Sequence, residues 1–222
     1  MRYWLLALSC AAMAGCLTHK VAPTRYFLVE PATAPPASAI PSVIRTDTDA
    51  AQPETTSTDM PSPEPLPFTL GVRPFMTAKP YTQPITYLGE DQELVFRDRL
   101  EWAEPPADVI TRAVRDALAG MGRFQDVGDA ADMARPDLIL TGEVRRFLEN
   151  RTVTPPMAEV AVHIEVREAR GVRLVWSGLL RASGPVHEAT PGALAAAMSD
   201  AVARIAEDAA RILAGVAIPT AS

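Results

Sequence analysis

Between residues 138 and 176 the chain alternates apolar and polar side chains with a period of two, a pattern that few folds accommodate. Val160, Val162, Ile164 and Val166 interleave without a break with Ala161, His163, Glu165 and Arg167. Leu138, Leu140, Val144 and Leu148 likewise interleave with Thr141, Glu143, Arg145 and Phe147. Successive side chains on a strand point to opposite faces, so each run predicts a strand with one greasy face and one wet one. Arg170-Gly171 offers a tight turn, after which Val172, Leu174 and Trp176 begin a return strand. Together these runs predict an antiparallel sheet covered on one side only.

The cover follows in the sequence. Thr190 then Pro191 is a good helix cap and first helical position. From there to about Leu213, the residues Leu194, Met198, Ala201, Val202, Ile205, Ala209 and Ile212 form one apolar stripe. Asp200, Arg204, Glu207, Asp208 and Arg211 hold the other side. An earlier helix is predicted after Pro105-Pro106, with Val109, Ile110, Ala113, Val114, Ala117, Leu118 and Met121 on one face and Gly120 and Gly122 at its end. Further strands are expected at 25–29, at 68–73 and around Glu93–Arg97, with an irregular Pro-punctuated crossing between the last two. A sheet plus two amphipathic helices predicts an α+β domain of two layers, spanning 25–215 as one unit with a tail at 216–222.

Residues 31–67 break the pattern. Nine of the 21 prolines fall there, among Ala, Thr, Ser and Asp and without one aromatic. Such a stretch buries too little surface to offset its ordering entropy, so it is expected to be a disordered insertion between two strands.

The amino terminus is a targeting signal. Met1-Arg2 precedes the apolar run Tyr3–Gly15, which is too short to span about 30 Å of hydrocarbon. The small pair Ala14-Gly15 before Cys16 resembles the lipobox of bacterial lipoproteins, with Met13 where leucine is usual. That resemblance implies cleavage after Gly15, removal of 1–15, and a diacylglycerated and acylated Cys16 on a tether of 16–24. The other reading is an ordinary cleaved signal with an incidental cysteine. Two or more acyl chains hold a protein stably to a bilayer where one does not. Leu17 in place of an aspartate favours, by the enterobacterial sorting pattern, the periplasmic face of the outer membrane.

Little in the chain points to catalysis. His19, His163 and His187 are far apart in sequence, so neither a metal nor any other cofactor is expected. No Gly-x-Ser-x-Gly elbow and no Gly-rich phosphate loop occurs. A formal charge of -6 without a basic cluster argues against nucleic acid. Cys10 leaves with the signal and Cys16 carries lipid, so no disulfide is expected. His163 and Glu165 read as solvated neighbours rather than a proton site, and Glu101 and Glu104 as carboxylates beside a helix start. Asn150-Arg151-Thr152 matches a glycosylation sequon without meaning in a bacterial lipoprotein. Trp102 and Trp176 are either packing aromatics or, with Phe96 and Val162, the lining of an apolar ligand groove.

Taken together, the lipobox at Cys16, Arg25-Tyr26-Phe27-Leu28-Val29, Leu70-Gly71-Val72-Arg73-Pro74-Phe75, and Arg99-Leu100-Glu101-Trp102-Ala103-Glu104-Pro105 leading into a helix resemble the ABC-type transport auxiliary lipoproteins. The resemblance implies a non-enzymatic periplasmic lipoprotein beside an ABC permease, its ATPase and an MCE-type periplasmic protein, moving lipids or other apolar molecules between the membranes. It also implies docking to the outer membrane and, as in some members, a homo-oligomeric ring. It supplies no catalytic residue, and 31–67 looks longer than the family's usual link. A lipid carrier working without a dedicated transporter is the alternative. One route to docking is strand addition at a sheet edge, which the clean alternation of 159–167 makes a candidate.

Overall fold

The computed structural model describes residues 22–32, 66–170 and 173–216. Its strands are β1 (Arg25–Phe27), β2 (Leu66–Val72), β3 (Met76–Thr77), β4 (Pro84–Leu88), β5 (Leu94–Trp102), β6 (Phe124–Asp129), β7 (Leu138–Asn150), β8 (Met157–Glu168) and β9 (Leu174–Pro185). Its helices are α1 (Pro106–Gly120) and α2 (Pro191–Gly215). The architecture is the expected α+β domain. The signal, the lipidated cysteine and most of the Pro-rich insertion lie outside the described residues.

β7 organises a nine-stranded sheet. Along one edge it pairs antiparallel with β8 from Leu138↔Glu168 to Asn150↔Met157, and β8 pairs antiparallel with β9. Along the other edge it takes three parallel partners in succession, with β2 at Leu138–Leu140, β3 at Glu143–Val144 and β4 at Glu149–Asn150. β6 lies outside β2, while β5 and then β1 lie outside β4. An antiparallel meander is thus joined to a mixed half.

The phase of β7 changes within the strand. Register shifts between Val144 and Arg146, so a bulge gives β7 one residue more than β8 at that point. Leu138, Leu140 and Val144 face the helices before it, and Phe147 does so after it, at 1% exposure. The expectation that Phe147 lies on the wet face is therefore corrected: simple alternation does not survive an inserted residue.

α2 covers the β8 face formed by Val160, Val162, Ile164 and Val166 and extends over β9, while α1 lies beside it over β6 and β7. Pro106 opens α1 with its fixed φ, and Asp108 stands in the first turn, where the helix dipole favours negative charge. Thr190 caps α2 by accepting a hydrogen bond from the Ala193 amide at 3.2 Å. Ala201, Ala206 and Ala209 are buried, and their short side chains let α2 approach its neighbours closely. The strand expected at 25–29 ends at Phe27. Beyond it the Glu30 amide donates to Ser199 Oγ on α2 at 3.0 Å, and Pro31 and Ala32 reach the α1–α2 seam beside Ala113, Ala117 and Ala206.

Candidate functional site

Among the described residues, no helix lies on the opposite face of the β7–β8–β9 meander. Glu143, His163 and Leu179 form one row across it, and Arg146, Ala161 and Arg181 form the next. Two clefts adjoin there. One, of about 520 Å³, is lined by Arg145, Arg146, Glu159, Ala161, Leu179 and Arg181, among others. The second, of about 380 Å³, is lined by Arg73, Met76, Thr141, Glu143, His163 and Glu165, among others. They meet where His163 follows Ala161 along β8.

The bulge builds this surface by bringing the consecutive Arg145 and Arg146 to the rim of one cleft. Arg145 Nε donates to Glu143 at 2.9 Å, and Arg146 Nη1 to Glu159 at 2.6 Å. Burial raises the Tyr81 hydroxyl above its usual titration range, while the neighbouring Arg146 guanidinium pulls it the other way. With three arginines against Glu159, the larger cleft is basic. Glu143 and Glu165 against Arg73 make the smaller one more acidic. The floor is apolar at Ala161 and Leu179, and Met76 stands 73% exposed at the side.

His163 and Glu165 are neighbours on β8 that bond elsewhere: His163 Nε2 lies 3.1 Å from Ser177 Oγ, and Glu165 accepts Nε and Nη2 of Arg167 at 3.1 and 2.8 Å. Glu104 takes a bidentate grip on Arg112 at 3.1 and 2.7 Å, which lowers its pKa, chiefly through that bonding. Asn150 has a local role: its Oδ1 accepts the Thr152 amide at 2.9 Å and hydroxyl at 2.7 Å, closing the turn after β7.

The apolar residues singled out in the sequence do not share a cavity. Trp102 is 2% exposed and meets Phe147 edge to face, with ring centroids 5.4 Å apart. Phe96 is 52% exposed on β5, and Val162 is fully buried on the β8 face that α2 covers. The Trp176 ring lies over Gly178, where an added Cβ would fall 2.5 Å from Cζ2. By register, Trp176 aligns through Val166 with Leu140, whereas Phe96 aligns through Thr86 with the far end of β7. About eight residues of strand, on the order of 25 Å, separate them. Cys16 and Gly15 lie outside the described residues. β8, the edge expected from 159–167, is interior and paired on both sides; among the described residues, the meander's unpaired edge belongs to β9.

A second cluster escaped the sequence reading. Glu149, 2% exposed, accepts from Arg97 and, at 3.0 Å, from Arg151, whose guanidinium lies 4.1 Å from the centre of the Tyr87 ring. Burial raises the Glu149 carboxyl above the usual carboxylate range against the opposing pull of Arg97. Arg97 Nε is buried without an acceptor among the described residues. The cluster braces β4 and β5 against the end of β7. Among the described residues, no three His, Cys, Asp or Glu side chains stand together in a way that could hold a metal, and no helix is long and apolar enough to cross a membrane.

A family model described as "ABC-type transport auxiliary lipoprotein component" matches residues 48–210. None of the curated protein sequences matches the chain. Among solved structures, protein XCC0632 from Xanthomonas campestris is 22% identical, with a TM-score of 0.61 over 70% of this chain and 90% of that one. The hypothetical protein CT253 from Chlamydia trachomatis is 10% identical, with a TM-score of 0.50 over 68% of this chain and 98% of its own. Both are similar in fold.

Proposed function

The chain belongs to the ABC-type transport auxiliary lipoproteins, and from that membership we propose that it is a non-enzymatic docking component held by acyl groups on Cys16 to the periplasmic face of the outer membrane. It works beside an ABC permease, its ATPase and an MCE-type periplasmic protein, in a system moving lipids or other apolar molecules between the membranes. The observation that supports docking best is the uncovered face of β7–β8–β9, with its basic cleft, its more acidic neighbour and the unpaired edge of β9 alongside. A sheet edge can take up a partner's strand through main-chain hydrogen bonds, while side-chain clefts beside it supply specificity. The arginine excess at Arg145, Arg146 and Arg181 suits an acidic surface on the MCE-type partner.

Two variants test the two halves of this reading. Cys16→Ser should move the protein from the membrane fraction to the soluble one, and globomycin should make the precursor accumulate. Arg145→Glu with Arg181→Glu should weaken cross-linking to the MCE-type partner at least tenfold while leaving membrane attachment intact. Unchanged fractionation of Cys16→Ser overturns the anchor, and unchanged cross-linking overturns the docking face.

A further inference from the structure

Among the described residues, the large apolar side chains left in solvent are not evenly scattered. Tyr26 is 61% exposed, Leu28 49% and Phe96 52%, and all three sit on β1, its continuation or the adjoining β5. The other four, Met76, Met121, Val153 and Leu174, lie singly on four different segments. Register places Tyr26 and Phe96 on one side of the sheet. Tyr26 stands opposite Glu101, which faces Pro84, and Phe96 faces Thr86. Residues 84 and 86 alternate back to the same face, so the two aromatics are about 7 Å apart along the strands and one strand spacing apart across them. Leu28 follows Tyr26 by two residues.

The chain leaves the domain at this corner. Arg99, whose backbone has a φ of 57° in the β5 bulge, donates from Nη1 to the Ala22 carbonyl oxygen at 3.2 Å. Arg25–Phe27 is fixed beside Leu100–Trp102. Ala22 stands six positions after Cys16, and six fully extended steps reach about 22 Å. A bilayer holding acyl groups on Cys16 therefore lies within about 22 Å of Ala22, which Arg99 holds beside β5. The charges around the exposed patch balance, with Arg25 and Arg99 against Asp98 and Glu101, so attraction to anionic headgroups is not what would hold it there. Exposed aromatic and aliphatic side chains, with a tyrosine hydroxyl at the water boundary, are the chemistry of the headgroup–acyl interface.

We propose that the β1–β5 corner is the membrane-contact surface of the domain, with Tyr26, Leu28 and Phe96 seated at the phospholipid interface of the bilayer that carries the anchor. The proposal rests on the lipid-anchor reading of Cys16. It fixes an orientation: β1 and β5 lie against the membrane, and β9, at the other end of the sheet, points toward the periplasm.

The test uses the full chain, processed in a lipoprotein-acylating host and reconstituted into vesicles of phosphatidylethanolamine and phosphatidylglycerol at three to one. Apart from Cys10 in the signal and the acylated Cys16 the sequence has no cysteine, so single cysteines at Tyr26→Cys, Phe96→Cys and Met121→Cys can carry a fluorophore. Nitroxide-labelled lipid should quench labels 26 and 96 at least twofold more than label 121, and replacing phosphatidylglycerol with phosphatidylcholine should not change this. If the protein floats with the vesicles and labels 26 and 96 are quenched no more than 121, the contact surface is overturned alone. If the protein fails to float, the anchor reading falls and takes this proposal with it.

Discussion

The ring of Phe75 occupies the space above Gly142: a Cβ built on that glycine would lie 2.5 Å from Phe75 Cδ2. Phe75 is 5% exposed, and its amide donates to Thr111 Oγ1 on α1 at 2.9 Å, so the ring has little freedom to retreat. Gly142→Ala should therefore destabilise the domain by about 1–3 kcal/mol, the usual range for overpacking. Gly120, at the end of α1, has nothing within 4 Å of such a Cβ. Gly120→Ala should leave stability unchanged or raise it by up to about 1 kcal/mol. Urea denaturation of both variants measures the contrast.

Removing one partner of the buried Arg97–Glu149 pair strands the other charge. Glu149→Leu should cost about 3 kcal/mol or more, because Arg97 then stays buried with its guanidinium uncompensated. Arg97→Met in the same chain should restore most of that loss, since a well-packed apolar pair can replace a buried ion pair at little cost. A double-mutant cycle read by urea denaturation checks both statements. Equal losses in the single and double variants would refute the pairing argument.

Glu149 also sets a pH dependence. Its folded-state pKa is raised, so the folded protein holds a proton that the unfolded chain has already released. Its contribution to stability is complete below the unfolded value near 4.5 and is lost as pH rises through the raised folded one. Glu149→Gln should flatten the stability profile just above pH 4.5, which thermal melts at half-unit intervals would reveal.

The start of α2 depends on one hydroxyl. Thr190→Ala removes the acceptor for the Ala193 amide and should cost about 1 kcal/mol. Thr190→Ser should cost much less. The difference between the two midpoints in denaturant separates capping from side-chain packing.

What the sequence carried was periodicity, and where periodicity ruled, the fold was legible. The strands around Leu138–Val144 and Val160–Val166 and both amphipathic helices follow from spacing alone. β6 was missed because Phe124-Gln125-Asp126-Val127-Gly128-Asp129 is too polar to show an apolar face, and β3 because two residues carry no period. Phe147 and Glu149 fall on the buried side only because the bulge inserts a residue before them, an event that leaves no local signature. The basic cleft required that same bulge together with the β8–β9 register, so no linear motif announced it. Phe96, Trp102 and Trp176 look alike as isolated aromatics; burial alone separates an exposed patch, a core edge and a ring lying over a glycine.

The three parallel partners sharing one side of β7 have a kinetic consequence. β1, β5 and β4 can associate among themselves, and β2 can join β6, but nothing unites the two groups until residues 138–150 have been made. The pairings of β7 with β2, β3 and β4 that join the sheet therefore link distant stretches of chain, such as Leu70 with Leu138 and Tyr87 with Glu149, and non-local pairings of this kind form slowly. A polypeptide emerging from its amino terminus displays unsatisfied strands for most of its synthesis, so a holding chaperone has its longest opportunity before β7 emerges.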